Sequence, residues 1–157
     1  MILVLCICAY LVTNCLAQES PAPEASQAQM LASPDPKVAS NKRLVFDFWR
    51  EVYEGGHMER VEHYLAPTYI QHNPNVPTGR DGFVAVFSKI AKPKIVEDHV
   101  TAPLIAILGD GDKVMMAFRR EYDDPQHPGQ KYTTTWFDMF RIADGQIAEH
   151  WDPAQKH

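Results

Sequence analysis

The feature that most constrains this chain is a change of hydrophobic period near Lys94. Before it, apolar residues recur at helical spacing; after it, they alternate as strands do. Leu44, Val45, Phe48, Trp49 and Val52 form one face of a first helix opening at Ser40, with Lys42, Arg43, Asp47, Arg50 and Glu51 on the other side and Gly55-Gly56 as its stop. Met58, Val61, Tyr64 and Leu65 predict a shorter helix. Ala66-Pro67 breaks that pattern, and TYIQHNPNVP runs extended because Pro74 and Pro77 push the residues before them out of helix. Thr78-Gly79-Arg80-Asp81 opens a third helix with Phe83, Val84, Phe87 and Ile90 as its buried face. Strands follow at about 94–101, 103–108, 113–123, 131–142 and 146–152. Gly109-Asp110-Gly111-Asp112 and Asp144-Gly145 make hairpin turns, and 123–130 a longer loop. Helices first and strands afterwards is an α+β order.

The remainder of the chain is of a different kind. Residues 1–17 are apolar and uncharged, too short to span a bilayer comfortably, and Cys15 and Ala17 are small residues suited to a cleavage site after Ala17. They read as an export signal, with a secreted or periplasmic product. A lipid anchor at Cys15 is the lesser alternative. All three cysteines (Cys6, Cys8, Cys15) fall in this segment, so cleavage leaves no disulfide, thiolate nucleophile or cysteine-bound metal. Residues 18–39, rich in Pro, Ala, Ser and Gln, read as a disordered tether, and 40–157 as one domain. A formal charge of −5 without a Lys/Arg cluster argues against a nucleic-acid partner, and no membrane association is expected after cleavage.

Several words then stand in order: Tyr69-Ile70-Gln71-His72-Asn73-Pro74, Gly79-Arg80-Asp81-Gly82-Phe83, Phe137-Asp138-Met139-Phe140-Arg141, Asp144-Gly145-Gln146-Ile147 and Glu149-His150-Trp151-Asp152. Together, over residues 41–152, they resemble the SnoaL-like polyketide cyclases of the nuclear-transport-factor-two-like superfamily. The resemblance implies a cone-shaped barrel, a curved antiparallel sheet wrapped around three N-terminal helices, with a deep apolar pocket and often a sheet-mediated homodimer. It also implies that Asp138 matches the family's acid/base aspartate. The fold hosts several reactions and plain binding proteins, so the reaction must be argued from the site.

Asp138 stands in an apolar strand, where a bare carboxylate is costly and a proton-shuttling one is well placed. Alternation puts Thr134, Trp136, Asp138 and Phe140 on one face and Thr133, Thr135, Phe137, Met139 and Arg141 on the other. If the first face lines the pocket, Asp138 is a carboxylate among aromatics, suited to catalysis; the alternative is that it pairs with Arg119, Arg120 or a histidine to fix the sheet. His72 is a second candidate catalytic residue, against a loop-fixing role. His150 is a third, although Ile147 shares parity with Glu149 and Trp151, which favours Trp151 as the inner wall unless a bulge intervenes. Tyr69, Asn73, Trp136, Phe140, Trp151 and Arg119 complete the expected substrate-binding set. His72, Asp138 and His150 would also make a two-histidine, one-carboxylate metal set, but no ligand-type spacing supports it, and no metal is expected. Without a dinucleotide fingerprint or phosphate loop, no cofactor is expected either. The residues point to an acid/base enzyme for a small apolar carbonyl compound, by aldol-type cyclisation, isomerisation or dehydration. A non-catalytic domain binding hydrophobic ligands is the alternative.

Overall fold

The computed structural model describes residues 26–156. The expected signal and Cys15 lie outside these residues, as does the tether as far as Ala25.

From Ser26 on, the expected tether is ordered. Ser26 and Gln29 form a reciprocal capping box on α1 (Gln27–Leu31), and Met30 and Leu31 are buried. The first domain helix does not open at Ser40. Helix α2 (Pro36–Phe48) starts four residues earlier, with Asp35 Oδ1 accepting from the Lys37 and Val38 amides. Pro36 stands at the first helical position, where a missing N–H costs nothing, so this proline starts a helix instead of blocking one. Lys42, expected on the solvated side, is buried. Its Nζ donates to the carbonyls of Met30 and Ala32 at 2.9 and 3.1 Å and satisfies the open end of α1. The side chain of Gln27 pairs with both backbone groups of Val100 at 2.8 Å each, which straps the N-terminal segment to a distant loop.

Helix α2 runs on into a π-helical turn, Trp49–Glu54, and a 3-10 turn, Met58–Arg60, leads into the short α3 (Val61–Tyr64). Strand β1 (Leu65–Gln71) precedes α4 (Arg80–Phe87). Gly79, at φ 88°, is the N-cap of α4; Thr78 Oγ1 instead accepts from the Gln71 amide and donates to the Tyr69 carbonyl. Strands β2 (Leu104–Asp110), β3 (Lys113–Asp123), β4 (Lys131–Ala143) and β5 (Gln146–Trp151) follow. The sheet order is β1-β5-β4-β3-β2; β1 lies parallel to β5 and every other pair is antiparallel.

Residues 94–101, expected as a strand, form a loop. With no strand neighbour among the described residues, its backbone is held by side chains: Glu54 accepts from the Thr101 and Ala102 amides, His57 Nε2 meets the Lys94 carbonyl, and Arg50 donates to the carbonyl of Glu97. Between this loop, the helices and the sheet lies the core, where Val45, Val52, Leu65, Val114, Met116, Phe118 and Ile147 are fully or almost fully buried. Each large apolar side chain so placed contributes about 1.5–3 kcal/mol. Trp49 stacks on Phe118 at 4.5 Å and Phe48 meets Phe140 edge-on at 6.2 Å, so aromatic pairs fix how α2 crosses the sheet. A side chain at Gly109 would meet Val38 Cγ1 at 2.7 Å, so glycine permits the close approach of α2 to β2.

Candidate active site

Between α4, the π-helical turn and the inner face of the sheet is a cavity of about 130 Å³. Its helical wall is aromatic: Phe48, Trp49, Tyr53, Phe83 and Phe87. Arg120, Trp136, Asp138, Phe140 and His150 form its sheet wall, and Tyr69, Gln71, Asn73 and Asp152 its rim.

Strand β4 follows the expected alternation. Asp138 and Phe140 are buried facing the cavity, whereas Phe137 is 44% exposed on the outer face. His150 also faces inward, against the parity expectation that favoured Trp151. The β4–β5 register pairs Ile142 with Ile147 but Arg141 with Glu149, so Ala148 is an extra residue and Ile147 and His150 both turn inward. Trp151 lies on the outer face. It stacks at 4.8 Å on His72, which the structure likewise places outside the cavity: Nε2 of His72 donates to Glu149 Oε1 at 2.7 Å, and Arg141 Nε donates to Glu149 Oε2 at 2.8 Å. Of the adjacent arginines, Arg120 lines the cavity and Arg119 is exposed on the opposite face. Tyr69, Asn73, Trp136 and Phe140 line the cavity as expected, with Asn73 also bracing the rim by donating from Nδ2 to Asp152 Oδ2 at 2.8 Å.

Hydrogen-bond directions fix the chemistry of the buried pair. His150 Nε2 lies 3.0 Å from Asp138 Oδ1, and His150 Nδ1 lies 2.9 Å from Gln71 Oε1. The Asn73 amide N–H donates to that same Oε1 at 2.9 Å, while Gln71 Nε2 donates to the Tyr69 hydroxyl at 3.0 Å. Gln71 Oε1 is therefore an acceptor, and His150 must donate to it from Nδ1. One proton remains for the contact between His150 Nε2 and Asp138 Oδ1. The pair is either imidazolium with carboxylate or imidazole with carboxylic acid, and carries no net charge in either form. The second carboxyl oxygen, Asp138 Oδ2, is buried and has no hydrogen-bond partner among the described residues.

Tyr53 reaches the cavity from the π-helical turn. Burial, and after it the nearby Asp138 charge, pushes its phenol above the usual value, so it stays a hydrogen-bond donor at neutral pH. Burial likewise pushes up Tyr69. The sequence reading missed Tyr53, Gln71 and Asp152 as cavity residues. Gln71 and Asp152 were visible within QHNP and EHWD as neighbours of singled-out histidines; Tyr53, just past the last helical core residue, carried no such signal.

The His72–Asp138–His150 set weighed as metal ligands is not assembled, since His72 lies outside the cavity. Asp138, His150 and Asp152 do each offer a ligand atom, all within 4.8 Å of one another. A divalent cation there would have to replace the proton of the Asp138–His150 contact.

The SnoaL-like domain family matches residues 45–150, most of the described chain and all of the cavity walls except Asp152. The chain belongs to that family. Its fold is shared with a proposed SnoaL-like polyketide cyclase from Jannaschia sp. CCS1 (17% identity, 78% of this chain and 91% of that one, TM-score 0.53). A nuclear-transport-factor-2-like protein of unknown function from Mesorhizobium loti is similar over 79% of this chain and 98% of its own, at 17% identity and TM-score 0.53. An epoxide hydrolase of the LEH-like type from M. tuberculosis is similar over 74% and 84%, at 15% identity and TM-score 0.52. No curated protein matches the chain in sequence. Identities this low carry the fold and not the reaction.

Proposed function

We propose that this SnoaL-like domain catalyses proton transfer beside the carbonyl of a small, mostly apolar compound. The observation that carries this reading is the single-proton Asp138–His150 pair, with one carboxyl oxygen unpartnered, in an aromatic cavity. Among the described residues Asp138 pairs with a histidine and with no arginine, and the pair lines the cavity. Starting from carboxylate and imidazolium, Asp138 Oδ2 accepts the proton from the α-carbon as the C–H electron pair moves into the enolate. The negative charge gathers on the enolate oxygen, where the Tyr53 hydroxyl is the available donor. Asp138 then returns the proton to carbon, or passes it to the leaving oxygen. Aldol-type closure, double-bond migration and dehydration all begin with this step.

The outer sheet face supports a homodimer. Met115 pairs with Met139 across β3 and β4, Phe137 stands beside them 44% exposed, and Leu108, 55% exposed, continues the patch on β2. Such contiguous apolar surface is a common mark of a protein interface.

The reaction can be tested without the natural substrate. Deuterium exchange into the α-positions of phenylacetone in D₂O, followed by proton NMR, should run faster with the protein than with buffer. Asp138→Asn preserves shape and hydrogen bonding to His150 and should lower the enzymatic exchange by roughly 10²–10⁴-fold. Exchange no faster than buffer, or an Asp138→Asn variant as active as the parent, would overturn the reading.

A further inference from the structure

The cavity is electrically uneven from end to end. Asp152 stands beside the Asp138–His150 pair, which is itself neutral overall, so that end carries the negative charge. Arg120 stands at the other. Its guanidinium lies over the face of Trp136, 6.0 Å from the ring centroid, and among the described residues it has neither a hydrogen bond nor a carboxylate within salt-bridge distance. The acid next to it on β3, Glu121, points to the opposite face and pairs with Lys131 at 2.7 Å.

Register sets the spacing between these ends. Arg120 pairs with Thr134 on β4, two residues short of Trp136, and reaches back over the indole. Trp136 and Asp138 are two residues apart on one strand face, roughly 7 Å. A cation seat and a proton-transfer seat therefore share one aromatic wall at about the length of a short carbon chain. The cavity volume of about 130 Å³ is close to the ~150 Å³ void that takes up a benzene ring, so the apolar body between the seats is no larger than one ring.

We propose that Arg120 and Trp136 form a carboxylate subsite, and that the substrate is a small keto acid with its carboxylate over Trp136 and its carbonyl at Asp138. A guanidinium offers two parallel donors to a planar carboxylate, and the face of the indole stands within cation–π reach of it. Asp152 enforces the orientation, since it repels a carboxylate brought to the opposite end. The carbonyl half of this assignment rests on the proton-transfer reading above; the carboxylate half rests on Arg120 alone.

Calorimetric titration of the purified protein with phenylacetate and with its neutral methyl ester tests the carboxylate half. The acid should bind about tenfold more tightly than the ester. That advantage should shrink with added salt, vanish in Arg120→Gln and persist in Arg119→Gln, whose side chain is on the other face. Equal affinity for acid and ester, no binding of the acid, or an advantage that survives Arg120→Gln would each overturn the subsite. The preference should persist in Asp138→Asn, so loss of ketone exchange in that variant bears on the proton-transfer reading and leaves the subsite standing.

Discussion

Replacing Gln71 with methionine, which keeps the length of the side chain and removes its amide, should both destabilise the domain and move a proton. Gln71 holds three partners: the Nδ1–H of His150, the Asn73 amide N–H and the Tyr69 hydroxyl, at 2.9, 2.9 and 3.0 Å. His150 and Tyr69 are only 7% and 3% exposed, so water cannot readily replace the lost amide there, whereas the Asn73 amide is at the rim. Each buried group left unsatisfied costs about 1–3 kcal/mol, and the extra apolar burial of methionine returns about 1 kcal/mol. The net loss should be about 1–5 kcal/mol, the middle of that range lowering the melting temperature by roughly 10 °C for a domain of this size. Urea titration measures the first quantity directly. Histidine can limit the damage by giving up its Nδ1 proton while Nε2 keeps the one facing Asp138, which leaves Nδ1 bare. Long-range proton–nitrogen NMR of the neutral protein should therefore report Nδ1 of His150 protonated in the parent and unprotonated in Gln71→Met. A melt within a degree or two of the parent, with an unchanged nitrogen pattern, would refute the hydrogen-bond reasoning and with it the single-proton description of the pair.

Glu149 should govern acid stability. Its carboxyl is held below the ordinary value of 4.5 first by the hydrogen bond from His72 and next by that from Arg141. A lowered folded value stabilises above the unfolded one and is lost as pH falls through the folded one. The parent should therefore lose melting temperature below about pH 5 more steeply than Glu149→Gln; parallel curves would show that the fork contributes nothing. On the outer sheet face, light scattering at micromolar concentration should give a dimer, and Phe137→Lys a monomer. A parent that is already monomeric would discard the interface.

The alternation of β4 was legible from residues alone, because successive side chains in a regular strand must take opposite faces. Trp136, Asp138 and Phe140 could be grouped on one wall without any coordinates, and Asp144-Gly145 announced its hairpin through backbone preference, with both residues at positive φ in the structure. Proline near the start of α2 was read as a breaker, although the Asp35 cap beside it was equally visible. Partners far away in sequence decided the rest. His150 turns inward because β5 pairs with β4 one residue out of step at Ala148, and a strand cannot show by itself where its neighbour will force a bulge. His72 went outside because β1 lies beside β5 and brings it to Glu149 and Trp151. Arg120 and Arg119, adjacent and chemically identical, were separated only by which face the helices cover. Residues 94–101 had strand-like alternation and no neighbour, and an extended segment becomes a strand only when another chain segment completes its hydrogen bonds. The acid/base pair itself belongs to this second class. Asp138 could be named from its strand, but the proton it shares with His150 exists only because Gln71, a remote residue in sequence, fixes which nitrogen of the ring donates.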